Sequence, residues 1–170
     1  QKWEERIAKL APGEKIDYVA ELKIDGLNIT LHYEKGKLVR ALTRGNGIEG
    51  EDVTHTVRTI ESIPLQLERP GTLEISGEIF MTKTAFEEMN KNLPEGEEPF
   101  ANVRNAAAGT IRQLDPAVAA SRKLEAFFYS LGAHQLAHEP QKQSEILELF
   151  QSLGIKINPH RKILHTVEDI

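Results

Sequence analysis

Glu21, Lys23 and Asp25 alternate along the stretch YVAELKID, so in an extended segment their side chains share one face. A lysine in such a place can serve as a nucleophile. A free amine with a pKa of ~10.4 is almost fully protonated at neutral pH. Activation therefore needs a neighbouring positive charge, desolvation or a metal ion. Asp25 and Glu78 are carboxylates of the kind that hold magnesium near a phosphate, which keeps the amine deprotonated and neutralises a leaving group. Arg44, just ahead of a glycine-rich loop, brings a cation to the same sheet edge. Each feature also has a plain reading. Lys23 can be a salt-bridged surface residue, Glu78 a solvent-facing strand residue, and Asp25-Gly26 a two-residue hairpin turn. The pattern Lys-x-Asp-Gly alone is a weak signal.

The segment PFANVRNAAAGTIRQLD is harder to explain away. Arg104 and Arg112 are eight residues apart, close to two helical turns, so both can face one way. The three alanines and Gly109 let another backbone approach closely. With Asn102, Asn105 and Gln113 the arginines form a dense array of donors suited to phosphate and sugar. From Asn102 to Lys123 there are four cations (Arg104, Arg112, Arg122, Lys123) against one acid, Asp115. On charge alone a solvated helix face is the commoner explanation. The whole chain carries a net charge of −5, which argues against non-specific coating of nucleic acid but leaves room for one local basic face. There is no cysteine, so disulfides and cysteine-based zinc sites are excluded from these 170 residues. No apolar run approaches the ~18 residues of a membrane span, and no basic-then-apolar leader stands at the start. Cytoplasm is the default expectation.

The elements that must position these residues follow from periodicity. Trp3, Ile7 and Leu10 have helical spacing, so residues 1–15 read as the end of an amphipathic helix in a protein that continues upstream. Tyr18 to Ile24 reads as a strand with Leu22 and Ile24 pointing into the core, joined by a hairpin at Asp25-Gly26 to the alternating run Leu27–Tyr33. Lys35-Gly36 turns the chain into Leu38–Thr43. The loop Arg44–Gly50 opens a short helix with Val53, Val57 and Ile60. Leu73–Met81 alternates as a strand, with Glu74, Ser76 and Glu78 on the face opposite Ile75 and Ile79. Thr84 and Glu87 form a capping box for a helix to about Asn92, and Asn105 caps a helix over Ala106–Leu114. Asp115-Pro116 starts another helix, Leu124–Leu131 is a buried strand, and Ser144 caps a helix that Gly154 stops. Thr166–Ile170 resembles a helix start. The sum is an α+β fold, with largely antiparallel sheets and flanking helices.

ELKIDG, TRGNG with GEDVTH, SGEIF, FANVRNAAAGTIRQLDP and FFYSLG, in that order and spacing, resemble successive motifs of bacterial NAD-dependent DNA ligase. The resemblance runs from about Tyr18 to Ile170, making residues 16–170 part of an adenylation domain with the covalent nucleotidyltransferase, ATP-grasp-like fold. It implies that Lys23 attacks the α-phosphate of NAD, releases nicotinamide mononucleotide and carries AMP on Nζ. The AMP then passes to the 5′-phosphate of nicked double-stranded DNA, and the 3′-hydroxyl displaces it to seal the strand, in replication and repair. Glu21 would accept from the adenine amino group, with backbone groups around Leu22 assisting. Tyr129 would stack on adenine opposite aliphatic groups near Leu22 and Leu27, and Asp25 and Gly26 would shape the lysine loop. Arg44 and Glu78 would address the ribose and metal–phosphate side, with magnesium at Asp25 and Glu78. Arg104 and Arg112 would meet nucleotide and nick phosphates. The resemblance further implies a monomer without a membrane anchor.

Asn46 stands where the family usually has Asp, and Val103 where it has Pro. The family's later strand motifs, each with a phosphate-directed lysine, are expected beyond Ile170. An upstream domain that grips nicotinamide mononucleotide, and downstream OB-fold, zinc, helix-hairpin-helix and BRCT parts, are expected outside this sequence, and zinc only there. Two other readings are an RNA ligase or capping enzyme, separable by labelling with NAD or ATP, and a non-enzymatic nucleic-acid-binding module without a nucleotide pocket.

Overall fold

The structure is a computed structural model that describes residues 2–45, 49–94 and 96–169. In chain order the elements are α1 (Lys2–Leu10), β1 (Tyr18–Glu21), β2 (Leu27–Glu34), β3 (Lys37–Thr43), α2 (Thr54–Val57), β4 (Leu73–Met81), α3 (Lys83–Lys91), α4 (Val103–Ile111), α5 (Pro116–Ser121), β5 (Leu124–His134), α6 (Gln143–Ser152) and β6 (Arg161–Leu164). This is an α+β chain with antiparallel sheets. It divides into two compact units, Gln1–Lys23 with Asn158–Ile170, and Ile24–Ile157.

The larger unit is built on a four-stranded antiparallel sheet in the order β3-β2-β4-β5. Alternation makes β2 and β4 two-faced. Ile29, Leu31 and Tyr33 of β2 and Ile75 and Ile79 of β4 are buried on one side, against Ala106, Ala107 and Ile111 of α4. The opposite side carries Asn28, Thr30 and His32 across from Glu78, Ser76 and Glu74. The β2–β3 turn is the expected one, with Lys35 at φ 49° and Gly36 at φ 82°, the left-handed pair that a tight hairpin favours. The short helix after the glycine-rich loop is present, and Val53, Val57 and Ile60 are all buried. Asn46, Gly47 and Ile48 of that loop, and the terminal Ile170, lie outside the described residues.

The smaller unit pairs β1 with β6 antiparallel, Tyr18 opposite Leu164 and Glu21 opposite Arg161. The helix expected from Trp3, Ile7 and Leu10 is α1, and the Trp3 ring packs 5.4 Å from that of Tyr18.

Several local expectations change. Asp25-Gly26 is not a hairpin, because β1 pairs with β6 while β2 pairs with β3 and β4. Gly26 is needed for close approach instead, since a Cβ there would lie 2.1 Å from the carbonyl oxygen of Ile79. The first strand ends at Glu21, and Leu22 is 61% exposed instead of pointing into a core. Helix α3 is capped by Thr82, whose hydroxyl accepts from Ala85 N, two residues before the expected Thr84. Helix α4 is capped by Asn102, whose Oδ1 accepts from Asn105 N at 2.8 Å, so Asn105 lies in the first turn. Val103 takes the first helical position, where proline's fixed φ is also accommodated. Ser144 lies inside α6, which starts after Lys142 without a side-chain cap. At the other end, residues 165–169 form bends and a turn closed by Thr166 Oγ1 donating to Asp169 Oδ2, not a helix.

Candidate functional site

The sequence-derived site residues fall in both units, and each group has its own geometry. In the smaller unit the backbone leaves the β1–β6 ladder at Glu21 and is caught immediately. Leu22 N donates to His160 O at 3.4 Å, and Leu22 O accepts from Asn158 Nδ2 at 3.0 Å. Asn158 is buried, at 4% exposure, and its Oδ1 accepts from His160 N, so the asparagine is itself fixed. Lys23 follows this clamp with an exposed side chain. Its ammonium has no ion-pair or hydrogen-bond partner among the described residues. The salt-bridged surface lysine of the plain reading is therefore not what the chain builds. Beside it, Glu21 Oε1 is buried and has no hydrogen-bond partner. Burial pushes the Glu21 carboxyl up from the ordinary range, opposed by the Arg161 guanidinium. An acceptor left unmatched in this way is costly unless a ligand donor meets it. The exocyclic amino group of a purine is such a donor.

In the larger unit, Asn28, Glu78 and Tyr129 converge on the outward face of the sheet. Tyr129 is the extra residue of a β-bulge: Ser130 pairs with Ser76 and Phe128 with Gly77, leaving Tyr129 between them without a partner. The ring stands 37% exposed. Its hydroxyl accepts from Asn28 Nδ2 at 3.1 Å and donates to Glu78 Oε2 at 3.4 Å. Burial first and the Glu78 charge second push the phenol up, while the Asn28 hydrogen bond and the Arg44 guanidinium pull it back. Arg44 directly follows β3, and its charge acts on this phenol. Leu27 is half-buried and pairs with Ile79 in register.

The two arginines of α4 meet different carboxylates. Arg104 Nη1 lies 3.2 Å from Asp25 Oδ1, and Arg112, which caps the C-terminus of the helix, donates through Nε to Glu51 Oε2 at 2.7 Å. All four side chains are more than half exposed, leaving the guanidiniums open to a second anion. Glu51 is anchored by its backbone N donating to Thr43 Oγ1 at 3.0 Å.

Among the described residues no group of three or more His, Cys, Asp or Glu is placed to hold a metal ion. Asp25 and Glu78 match magnesium in donor type, because that ion uses one or two carboxylates with water and substrate phosphate completing the shell. Sequence reasoning missed Asn28, Glu51 and Asn158. Asn28 was legible as an outward strand position, and Asn158-Pro159 as a turn, but nothing in either pattern specifies their partners.

The family described as the NAD-dependent DNA ligase adenylation domain matches residues 1–170. The DNA ligase of Carboxydothermus hydrogenoformans is 48% identical over 172 residues, covering 100% of this chain and 26% of that protein. The DNA ligase of Brevibacillus brevis is 47% identical, covering 99% of this chain and 25% of the relative. That of Pelotomaculum thermopropionicum is 45% identical, with 99% and 26% covered. The chain spans about a quarter of the length of these curated relatives.

Proposed function

The chain belongs to the family of NAD-dependent DNA ligase adenylation domains, and from that premise we propose that Lys23 is the residue that takes AMP from NAD. Lys23 Nζ, once deprotonated, attacks the α-phosphate. A nitrogen–phosphorus bond forms and the pyrophosphate bond to nicotinamide mononucleotide breaks, with the electron pair leaving on the mononucleotide phosphate. AMP then moves to the 5′-phosphate of nicked double-stranded DNA, and the 3′-hydroxyl displaces it as the strand is sealed.

The observation that carries this reading is the pair formed by Glu21 and Lys23. Among the described residues, a buried carboxylate oxygen without a partner stands two residues from an unpaired lysine, on a backbone held at Leu22 from both sides. Glu21 accepts from the adenine amino group, and Leu22 and Leu27 give the base apolar contact. Tyr129 stacks on the base, which for an aromatic side chain contributes about 1–3 kcal/mol. Arg44 and Glu78 address the ribose and the phosphate side. Asp25, with Gly26 letting the strand approach, holds the loop that carries the lysine. Magnesium at Asp25 and Glu78, when bound, supplies positive charge that favours the free amine and offsets the charge developing on phosphate. Arg104 and Arg112 exchange their carboxylate partners for nucleotide and nick phosphates.

In this reading residues 16–170 belong to the adenylating body and residues 1–15 lead into it. The protein works as a monomer in the cytoplasm, in DNA replication and repair. Among the described residues no helix is long and apolar enough to cross a membrane. Intact mass after NAD treatment tests the central step. In a full-length ligase carrying this sequence one AMP adduct is expected, absent from Lys23→Ala, and an adduct persisting in that variant overturns the assignment.

A further inference from the structure

The β-bulge at Tyr129 creates a problem that a second residue solves. A bulged residue has lost its ladder partner, so the sheet no longer dictates where its side chain points. Up to Phe128 the strand alternates, with Leu124, Ala126 and Phe128 buried; at the bulge Tyr129 and Ser130 are both exposed. Tyr129 O is held by Gln143 Nε2 at 2.6 Å, but that bond fixes the backbone, not the ring.

The ring is fixed by Asn28. This residue lies opposite Glu78 in the β2–β4 register, on the face to which Tyr129 turns. One hydrogen of its Nδ2 goes to Gly77 O at 3.0 Å and the other to the Tyr129 hydroxyl at 3.1 Å. A backbone carbonyl can only accept, so the contact to Gly77 assigns the nitrogen of the amide, which must donate to Tyr129 as well. The phenol oxygen is thereby an acceptor, and its own proton is directed to Glu78 Oε2 at 3.4 Å. Gly77 lets β5 pass close beside β4 at the bulge, since a Cβ there would fall 2.2 Å from Phe127 O.

We propose that Asn28 is a positioning residue: it sets the Tyr129 ring as a platform for the nucleotide base and, through the hydroxyl, aims the Glu78 carboxylate at the ribose and phosphate side. This rests on the reading of Tyr129 and Glu78 as nucleotide-binding residues. Asn28 makes no contact with the nucleotide, and its effect travels entirely through the phenol.

Two readouts on the protein test this separately. The first is the mobility and placement of the Tyr129 ring without nucleotide, read from the NMR signals of ring-labelled tyrosine assigned with Tyr129→Phe. Loss of the Asn28 donor frees the phenol, so Asn28→Ala should speed ring flipping and shift the Tyr129 ring signals towards those of an unheld tyrosine. Asn28→Asp keeps the shape, removes the donor and should act in the same direction. The second readout is AMP affinity. Asn28→Ala should weaken it about three- to tenfold, as expected for freeing one ordered side chain, and should have no effect in a Tyr129→Phe background. An unmoved phenol in both variants overturns the positioning role, as does an equal loss of affinity in the two backgrounds. A moved phenol with wild-type protein that binds no AMP leaves the Asn28–Tyr129 contact standing and overturns the nucleotide reading instead.

Discussion

Asn158 Nδ2 reaches the carbonyl oxygen of Leu22 at 3.0 Å across 136 residues of sequence, fixing the backbone one residue before Lys23. Leu22 left the β1–β6 ladder with its carbonyl in need of a donor, and a buried asparagine supplies it. Asn158→Ala strips that donor and the acceptor of His160 N together. Leaving such groups unmatched costs about 1–3 kcal/mol. Urea denaturation should show a loss of this size, and NAD labelling of Lys23 should slow beyond what the lost stability explains. A variant as stable as the wild type would mean that water replaces the asparagine.

Glu21 should make stability depend on pH. Its folded carboxyl has a raised pKa, mainly through burial, so ionisation favours the unfolded chain. The folded state is therefore penalised above the folded pKa, and the penalty fades as pH falls towards the ordinary glutamate value. Glu21→Gln removes the charge, so it should stabilise the free protein modestly at pH 7, with the gain shrinking on acidification. The same change should weaken AMP binding, because the amide cannot match a carboxylate as acceptor for the adenine amino group. Thermal melts across pH, with and without AMP, read both effects. A gain that stays constant from pH 7 to pH 4 would contradict the burial argument.

Tyr129→Ala should weaken AMP binding roughly ten- to a hundredfold, the equivalent of ~1–3 kcal/mol of stacking. Stability should change less than for a core aromatic, because the ring is 37% exposed while its neighbour Phe128 is fully buried. Calorimetric titration checks the affinity, and an unchanged dissociation constant would remove Tyr129 from the base site.

Much of this arrangement was legible in the sequence because alternation is a local property. Leu73–Met81 predicts its own two faces, and Glu78 falls on the outward one as expected. What was not legible depends on distant partners or on competition between neighbours. Asp-Gly signals a hairpin wherever the flanking runs can pair, but β1 finds β6 at the far end of the chain. Thr82 and Thr84, or Asn102 and Asn105, are chemically equivalent caps, and the extended backbone at the earlier residue decides between them. The bulge at Tyr129 follows from a register shift that no residue type announces.

Arg112 and Glu51 should matter for sealing more than for folding. Both side chains are over half exposed, and a pair of that kind contributes only about 0–1 kcal/mol. In an active ligase carrying this sequence, Arg112→Ala should leave stability and self-adenylation nearly intact and slow the joining of a nicked duplex. Equal damage to self-adenylation would make Arg112 a ligand of the nucleotide.

Gly26→Ala should be the most damaging small change near the lysine loop. The added methyl would lie 2.1 Å from Ile79 O, 2.9 Å from Ile79 C and 3.0 Å from Glu78 Cγ. Two of those atoms are backbone in β4, which is paired on both sides by β2 and β5 and has little freedom to retreat. The chain around Gly26 must therefore lift away, breaking the Leu27–Ile79 register and moving Asp25 off Arg104. Overpacking of this kind costs about 1–3 kcal/mol. Gly71→Ala is the control, since its methyl would meet no backbone, only the tip of the Leu73 side chain at 3.1 Å. The expected result is a Tm lowered by several degrees for Gly26→Ala and nearly unchanged for Gly71→Ala, with labelling by NAD impaired only in the first. Equal melting of Gly26→Ala and the wild type would show that the strand yields and that the glycine is not required by contact.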